Sequence, residues 1–112
     1  MENFWEFNVW GTYNVLAVLL LSLLAANTLL TKLDLSHNSL TSIAPLSALN
    51  SLETLLFDYN EVTQLPQWDV NCSLVVIQGS HNKIASVEPL SGLRSLNYVI
   101  LEYNSLTAIL SL

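Results

Sequence analysis

The most regular feature of the chain is a phrase of alternating apolar and polar residues that returns every 22 residues. It reads LTKLDLSHNSL at 30–40 and recurs at 52–62, 74–84 and 96–106. Alternation with a period of two is the pattern of a short β-strand with one buried face. The predicted inward pairs are Leu33 and Leu35, Leu55 and Phe57, Ile77 and Gly79, and Val99 and Leu101.

Each copy of the phrase also carries an asparagine at the same place, just after the predicted strand. A turn packed between neighbouring coils hides backbone N–H and C=O groups from water, and these groups need partners. An asparagine amide supplies two donors and an acceptor. We therefore predict a structural ladder, rather than a binding or catalytic role, for Asn38, Asn60, Asn82 and Asn104.

The segments between the phrases keep the same period. The pieces IAPLSAL and VEPLSGL place Pro45 and Pro89 at matching positions, which favours tight 3₁₀ turns over long helices. The segment that lies between these two along the chain, LPQWDVNCSL at 65–74, departs from this pattern, and we call it the third return. There, Trp68 is expected to fill core volume, including the volume that Gly79 leaves where a strand leucine is usual.

Residues 30–112 resemble the leucine-rich repeat family, whose signature is LxxLxLxxNxL with a period of 20–29 residues. The 22-residue period resembles that of the internalin-like bacterial class and of the class typified by the leucine-rich regulator of eukaryotic protein phosphatase. The phrases FDYNEVTQLPQW and CSLVVIQGSHNKI are similar to repeats of leucine-rich proteins from Gram-positive bacteria. The resemblance implies an α/β, right-handed solenoid with short parallel strands on the concave face and 3₁₀ or irregular turns on the convex face.

Residues 1–29 form a separate region that matches the repeat less well. In one register, Phe4, Phe7 and Val9 take the strand positions, with Thr12 in the asparagine slot. A second register uses Val9, Gly11 and Asn14 instead. Both registers predict a degenerate first repeat ahead of the four repeats in residues 30–112.

The apolar run VLAVLLLSLLAA at 15–26 has two interpretations. It is too short to cross a bilayer as a helix, which takes about 20 residues. Its length fits the core of a signal peptide, but the preceding MENFWEFN has two Glu and no Lys or Arg, unlike a signal peptide. The alternative, which we prefer, is a return segment buried against the next coil.

Composition narrows the class of partner. Nine acidic residues against three basic ones give a net charge of −6, so the chain lacks the cations that contact nucleic-acid phosphates. Nucleic acid is therefore excluded as a partner. The lone cysteine, Cys72, rules out a disulfide within the chain and leaves the redox compartment open.

Catalytic and metal-binding patterns are weak. Asp34, Ser36 and His37 carry the letters of a hydrolase triad, but adjacency in sequence does not place a base against a hydroxyl. His37 and His81 lie two coils apart, about 10 Å at the usual strand spacing, which is too far for shared metal coordination. We predict no enzyme activity, no cofactor, no metal and no small-molecule substrate.

The outward strand positions and the following turn form neighbouring columns on the predicted concave face. The columns are Glu6, Lys32, Thr54, Val76 and Tyr98; Asn8, Asp34, Leu56, Gln78 and Ile100; Trp10, Ser36, Asp58, Ser80 and Glu102; and His37, Tyr59, His81 and Tyr103. Exposed aromatic residues with few lysines are typical of protein-recognition surfaces. The candidate protein-binding residues are Trp10, Asp34, Leu56, Asp58, Tyr59, Gln78, His81, Tyr98, Ile100, Glu102 and Tyr103. The competing interpretation is that these residues simply pack beside their neighbours across the strands.

The predicted function is recognition of a protein partner through the concave face. The acidic residues favour a partner with a basic patch. We expect charge reversal at Asp34 and Asp58, or truncation of Tyr59 and Tyr103, to weaken binding without unfolding the domain. The alternative is a structural segment of a longer array or a module that self-associates through an uncapped C-terminal end. The family resemblance implies a secreted or cell-surface location, while the residues alone leave localisation, partner and oligomeric state open.

Overall fold

The protein is described by a computed structural model that gives the backbone of residues 4–6 and the full residues 29–106. These ranges contain the strands β1 (Phe4–Glu6), β2 (Lys32–Asp34), β3 (Thr54–Leu56), β4 (Val76–Gln78) and β5 (Tyr98–Ile100). All neighbouring strands are parallel, in the order β1-β2-β3-β4-β5. Each coil of chain thus adds one strand beside the preceding one, which confirms the predicted solenoid.

The register of β2 to β5 follows the 22-residue period. Leu33 pairs with Leu55, Leu55 with Ile77, and Ile77 with Val99. The first three are buried and Val99 packs against the core, while the residues on either side of them are exposed or half-buried. Burial of apolar side chains on one face of the sheet stabilises the fold at about 25 cal/mol per Å² of apolar surface. The inward residues predicted from the alternation are confirmed.

The return side contains two short 3₁₀ helices, Ala44–Ala48 and Glu88–Leu90. A proline lies in the first turn of each, where its fixed φ suits the helix and its missing N–H costs nothing. Leu46 and Leu90 point from these helices into the core. The predicted 3₁₀ turns at the two aligned prolines are confirmed.

The third return contains no 3₁₀ helix, in keeping with its different sequence. Asp69 organises a turn there instead: its Oδ1 accepts the N–H of Asn71 at 2.8 Å, and its carbonyl accepts the N–H of Cys72 at 2.9 Å. Trp68 is buried, and its indole N–H donates to the carbonyl of Leu46 in the preceding coil at 3.2 Å. The indole therefore ties two returns together.

The volume at Gly79 is filled by Phe57, not by Trp68 as expected from the sequence. The ring of Phe57, at the matching position of the preceding coil, occupies the space where a β-carbon on Gly79 would lie. The two residues therefore form a large–small pair in neighbouring coils. The expectation failed because sequence spacing does not show how far a side chain reaches along the solenoid axis.

The pairing of β1 differs from both registers expected for the N-terminus. Trp5 lies opposite Leu33 and Glu6 opposite Asp34, so the offset is 28 residues. Both expected registers were therefore wrong, because the N-terminal segment lacks the repeat asparagine that would mark the right offset. By sequence count, this offset aligns Trp10, which lies outside the described residues, with Asn38. Its assignment to the column of Ser36 therefore rested on a wrong register.

The apolar run at 15–26 also lies outside the described residues. Because β1 and β2 are adjacent in the sheet, this run lies between two neighbouring strands along the chain. That position is compatible with a return segment, and the choice between the two interpretations stays a prediction. In the part of the chain that is described, no helix is long and apolar enough to cross a membrane.

The Phe57–Gly79 pair yields a prediction about stability. We expect Gly79→Ala to lower the free energy of unfolding by about 1–3 kcal/mol, because the new methyl group overlaps the Phe57 ring. Urea denaturation followed by circular dichroism measures this loss. The double variant Phe57→Leu/Gly79→Ala is the control: it should be more stable than the sum of the two single changes implies. Additive losses would show that the two residues do not share this space.

Candidate protein-binding face

The asparagines of the repeat bind backbone groups both within their own coil and in the preceding one. Asn82 accepts the N–H of Val62 at 3.0 Å and donates to the carbonyls of Phe57, Gly79 and Ser80 at 3.0–3.1 Å. Asn82 is only 7% exposed to solvent. The side chain therefore satisfies backbone groups that the solenoid removes from water.

The same bonds recur one coil before and one coil after Asn82. Asn60 accepts the N–H of Leu40, and Asn104 accepts the N–H of Ile84, each at 3.0 Å. Asn38 donates to the carbonyls of Leu35 and Ser36 in its own coil. Among the described residues, no buried side-chain nitrogen or oxygen lacks a hydrogen-bond partner.

The candidate binding residues of the strands form rows across the sheet. Asp34, Leu56, Gln78 and Ile100 are register partners in neighbouring strands. Tyr98 begins β5 and is 60% exposed, while Leu56 and Ile100 are half-buried. Since the inward residues alternate with these rows, the rows lie on the open, concave face of the sheet.

The acidic residues of this face differ in how far their oxygens are already engaged. Asp58 Oδ1 accepts the N–H of Ser80 at 2.7 Å, and its Oδ2 accepts the Gln78 side-chain amide at 3.1 Å. Asp34 Oδ1 accepts the N–H of Ser36 at 3.0 Å. The carboxylate of Glu102 has no such partner within residues 29–106. Charge reversal at Asp58 would therefore also break bonds between coils, so this residue is a poor site for a pure test of binding.

The turn column forms a continuous stack of rings along the edge of the face. Ring centroids lie 4.7 Å apart between His37 and Tyr59, 4.2 Å between Tyr59 and His81, and 4.5 Å between His81 and Tyr103. The planes differ by only 8–15°. We call these four residues the ring stack. Tyr59 is 48% exposed and Tyr103 74% exposed, so the stack is available to a partner.

All four residues of the ring stack adopt a positive φ, between 56° and 60°. The left-handed region costs a residue with a side chain about 1–2 kcal/mol relative to glycine. The backbone N–H groups of the first three donate to the next coil: His37 to the carbonyl of Asp58, Tyr59 to that of Ser80 and His81 to that of Glu102, each at 2.9 Å. The turn that carries the ladder asparagine thus also projects the rings in one line.

The sequence placed the members of the ring stack in one column but did not foresee that they stack. His37, the first ring, was not among the candidate binding residues, although it recurs at the same repeat position as Tyr59. The recurrence of a ring side chain just before every asparagine was the signal that identifies it. Sequence alone could not predict that the rings stack, because the orientation of each ring depends on the positive φ of its residue.

Two other features of the described residues lie apart from this face. No group of three or more His, Cys, Asp or Glu side chains in residues 29–106 is arranged to hold a metal ion. An open groove of about 590 Å³ runs between the third return and the segment VEPLSGL of the next coil, lined in part by Gln64, Leu65 and Ser86. None of the candidate binding residues lines this groove.

Comparison with known proteins supports the architecture. A family model described as leucine-rich repeats, in two copies, matches residues 28–69. The structure of internalin C2 from Listeria monocytogenes is similar, with a TM-score of 0.67 and 30% sequence identity over 77% of this chain. The chain spans 38% of the length of that structure. None of the curated proteins compared with the chain matches it.

The ladder predicts a large loss of stability on removal of one buried amide. We expect Asn82→Ala to lower the free energy of unfolding by about 3 kcal/mol, because the N–H of Val62 and nearby carbonyls lose their partner. Thermal and urea unfolding measure the effect. The exposed Asn50 gives the control, since Asn50→Ala should change stability by less than about 0.5 kcal/mol. Equal losses in the two variants would contradict a special role for the buried amide.

The ring stack and its positive φ predict that glycine at position 59 gives a more stable protein than alanine. Tyr59→Ala removes two stacking contacts, each worth about 0.5–1.5 kcal/mol, and keeps a side chain at positive φ. Tyr59→Gly removes the same contacts but relieves the backbone, so it should be about 1 kcal/mol more stable than Tyr59→Ala. Urea unfolding of both variants tests the difference. If the alanine variant were the more stable, the positive φ would not be a source of strain.

Proposed function

Because the chain is a leucine-rich repeat protein with internalin-like repeats, we propose that it is a non-enzymatic module that binds a protein with a basic patch through its concave face. The fold generally serves protein–protein interaction, but many unrelated partners use it, so the choice of face and partner rests on the residues of this chain. A secreted or cell-surface location, implied by the resemblance, stays a prediction.

The observation that carries the proposal is the composition of the concave face. Leu56, Val76 and Ile100 are half-buried aliphatic residues on neighbouring strands of this face. Gln78 lies between Leu56 and Ile100, and the exposed Tyr98 stands at the edge. Aliphatic residues beside exposed tyrosines are typical of protein interfaces. Tyrosine offers a large contact area, and it often dominates the binding energy of such surfaces.

Charge indicates the kind of partner. Asp34, Asp58 and Glu102 all lie on the concave side, and the whole chain carries a net charge of −6. Acidic groups at the margin of an interface attract a basic partner and raise its association rate. Since Glu102 is exposed and makes no internal hydrogen bond through its carboxylate within the described residues, it is the acid best suited to contact a partner cation.

The competing proposal is a structural segment of a longer array, or a module that self-associates. Strand edges without a neighbour favour such pairing. Multi-angle light scattering separates the two proposals. A constant monomer mass from micromolar to millimolar concentration agrees with recognition of another protein, whereas a mass that rises with concentration would support self-association instead.

A capped hexa-arginine peptide serves as a probe of the proposed face. We expect ¹⁵N-labelled protein to show amide shifts in β3 to β5 and the following turns, and a hexaglutamate peptide to cause none. Glu102→Lys should weaken hexa-arginine binding about fivefold, from the Coulomb energy of charges several ångströms apart in water. The same charge change on the return side, Glu88→Lys, is the control and should have a smaller effect. Shifts confined to the return side, or equal losses in both variants, would contradict the proposed face.

A further inference from the structure

The last ring of the stack differs from the earlier ones in how many of its faces are covered. Tyr59 lies between His37 and His81, with ring centroids at 4.7 and 4.2 Å, so both of its faces are covered. Tyr103 stacks on His81 at 4.5 Å, and within the described residues no second ring lies against it. Tyr103 is 74% exposed, against 48% for Tyr59. Tyr103 therefore offers a partner an open ring face, which Tyr59 does not.

The turn that carries Tyr103 is held by the asparagine ladder. Asn104, the next residue, accepts the N–H of Ile84 and donates to the carbonyls of Gly79 and Leu101, each at 3.0 Å. The plane of the Tyr103 ring lies within 15° of its neighbour in the stack. A side chain that is already ordered loses less conformational freedom when it binds a partner. The open face is therefore a preformed platform.

An unengaged carboxylate directly precedes this platform. The backbone N–H of Glu102 donates to Ser80 Oγ at 3.1 Å, whereas its exposed carboxylate has no hydrogen-bond or ion-pair partner within residues 29–106. Consecutive Cα atoms are about 3.8 Å apart, so the carboxylate and the ring project from neighbouring points of one turn. Lys83, in the preceding coil, is paired with Glu61 at 3.5 Å. The charge of Glu102 is thus left for a cation from outside.

A flat ring face beside a carboxylate suits one basic side chain better than the other. The guanidinium of arginine is planar, stacks on aromatic faces and donates two parallel hydrogen bonds to a carboxylate. The ammonium of lysine is compact and strongly hydrated, and it has no plane to lay on a ring. An aromatic side chain would cover the ring but leave the carboxylate without a partner.

We propose that Tyr103 and Glu102 form an arginine-selective site, in which a guanidinium of the partner lies on the open face of Tyr103 and binds the carboxylate of Glu102. This inference rests on the proposed function, since it names the side chain that the basic partner presents to this face. Glu102 supplies the charge and Tyr103 the preference for arginine over lysine. The earlier rings act by holding Tyr103 in place.

The experiment compares binding of capped hexa-arginine and hexa-lysine peptides, which carry equal charge, at one pH and one ionic strength. We expect the wild-type protein to bind hexa-arginine about threefold more tightly, the size of a cation–π contact at an exposed site. Tyr103→Leu removes the ring and keeps the carboxylate, so the two affinities should become nearly equal. Tyr103→Phe is the matched control: it keeps the ring face and should keep the threefold preference.

A second measurement needs no variant. Nuclear Overhauser contacts should join the δ protons of a bound arginine to the ring protons of Tyr103. Contacts to the exposed ring of Tyr98 alone, or none to either tyrosine, would overturn the inference. Thermal unfolding shows whether the Tyr103 variants stay folded, since Tyr103→Leu also removes the contact with His81.

The outcomes separate this inference from the proposed function. Equal wild-type affinities for the two peptides would overturn the arginine preference and leave the proposed basic partner standing. A threefold preference that persists in Tyr103→Leu would overturn it as well, because the ring would not be its source. If neither peptide bound, the proposed basic partner would be wrong, and the inference with it.

Discussion

The hydrogen bonds of the ladder asparagines are the constraint on which the rest of the structure depends. A coil of this solenoid buries a turn, and a buried turn leaves backbone groups that only another part of the chain can bind. Asn60, Asn82 and Asn104 each bind groups of their own coil and of the coil before. No coil can satisfy its turn alone, so the coils stabilise one another and share one period.

The same turn decides what the edge of the concave face presents. The residue before each asparagine has a positive φ. At His37, Tyr59 and His81 the backbone N–H donates to a carbonyl of the next coil. Repetition of this turn places His37, Tyr59, His81 and Tyr103 in one stack. Stacking offsets part of the backbone cost, so the structural requirement of the turn also creates an exposed aromatic surface.

Internal hydrogen bonding limits which residues of this face could serve the proposed recognition of a partner. Asp58 appeared from sequence to be as available as Glu102, because both precede a tyrosine at the same repeat position. In the structure, both oxygens of Asp58 are occupied by Ser80 and Gln78 of the next coil. The proposed recognition would therefore depend on residues of the face with exposed side chains and polar atoms that make no internal hydrogen bond among the described residues, chiefly Tyr98, Glu102 and Tyr103.

The sequence by itself determined the coil period, the inward strand residues, the ladder positions and the two 3₁₀ turns, because each depends on local spacing that repeats every 22 residues. Only the tertiary structure decided the 28-residue offset of β1, the partner of Gly79 and the stacking of the rings. These features depend on how far a side chain reaches into the next coil and on the φ angle of the backbone. Neither quantity can be derived from the pattern of residues along the chain. Regular repeats are therefore predictable from sequence, whereas contacts between coils follow from three-dimensional packing.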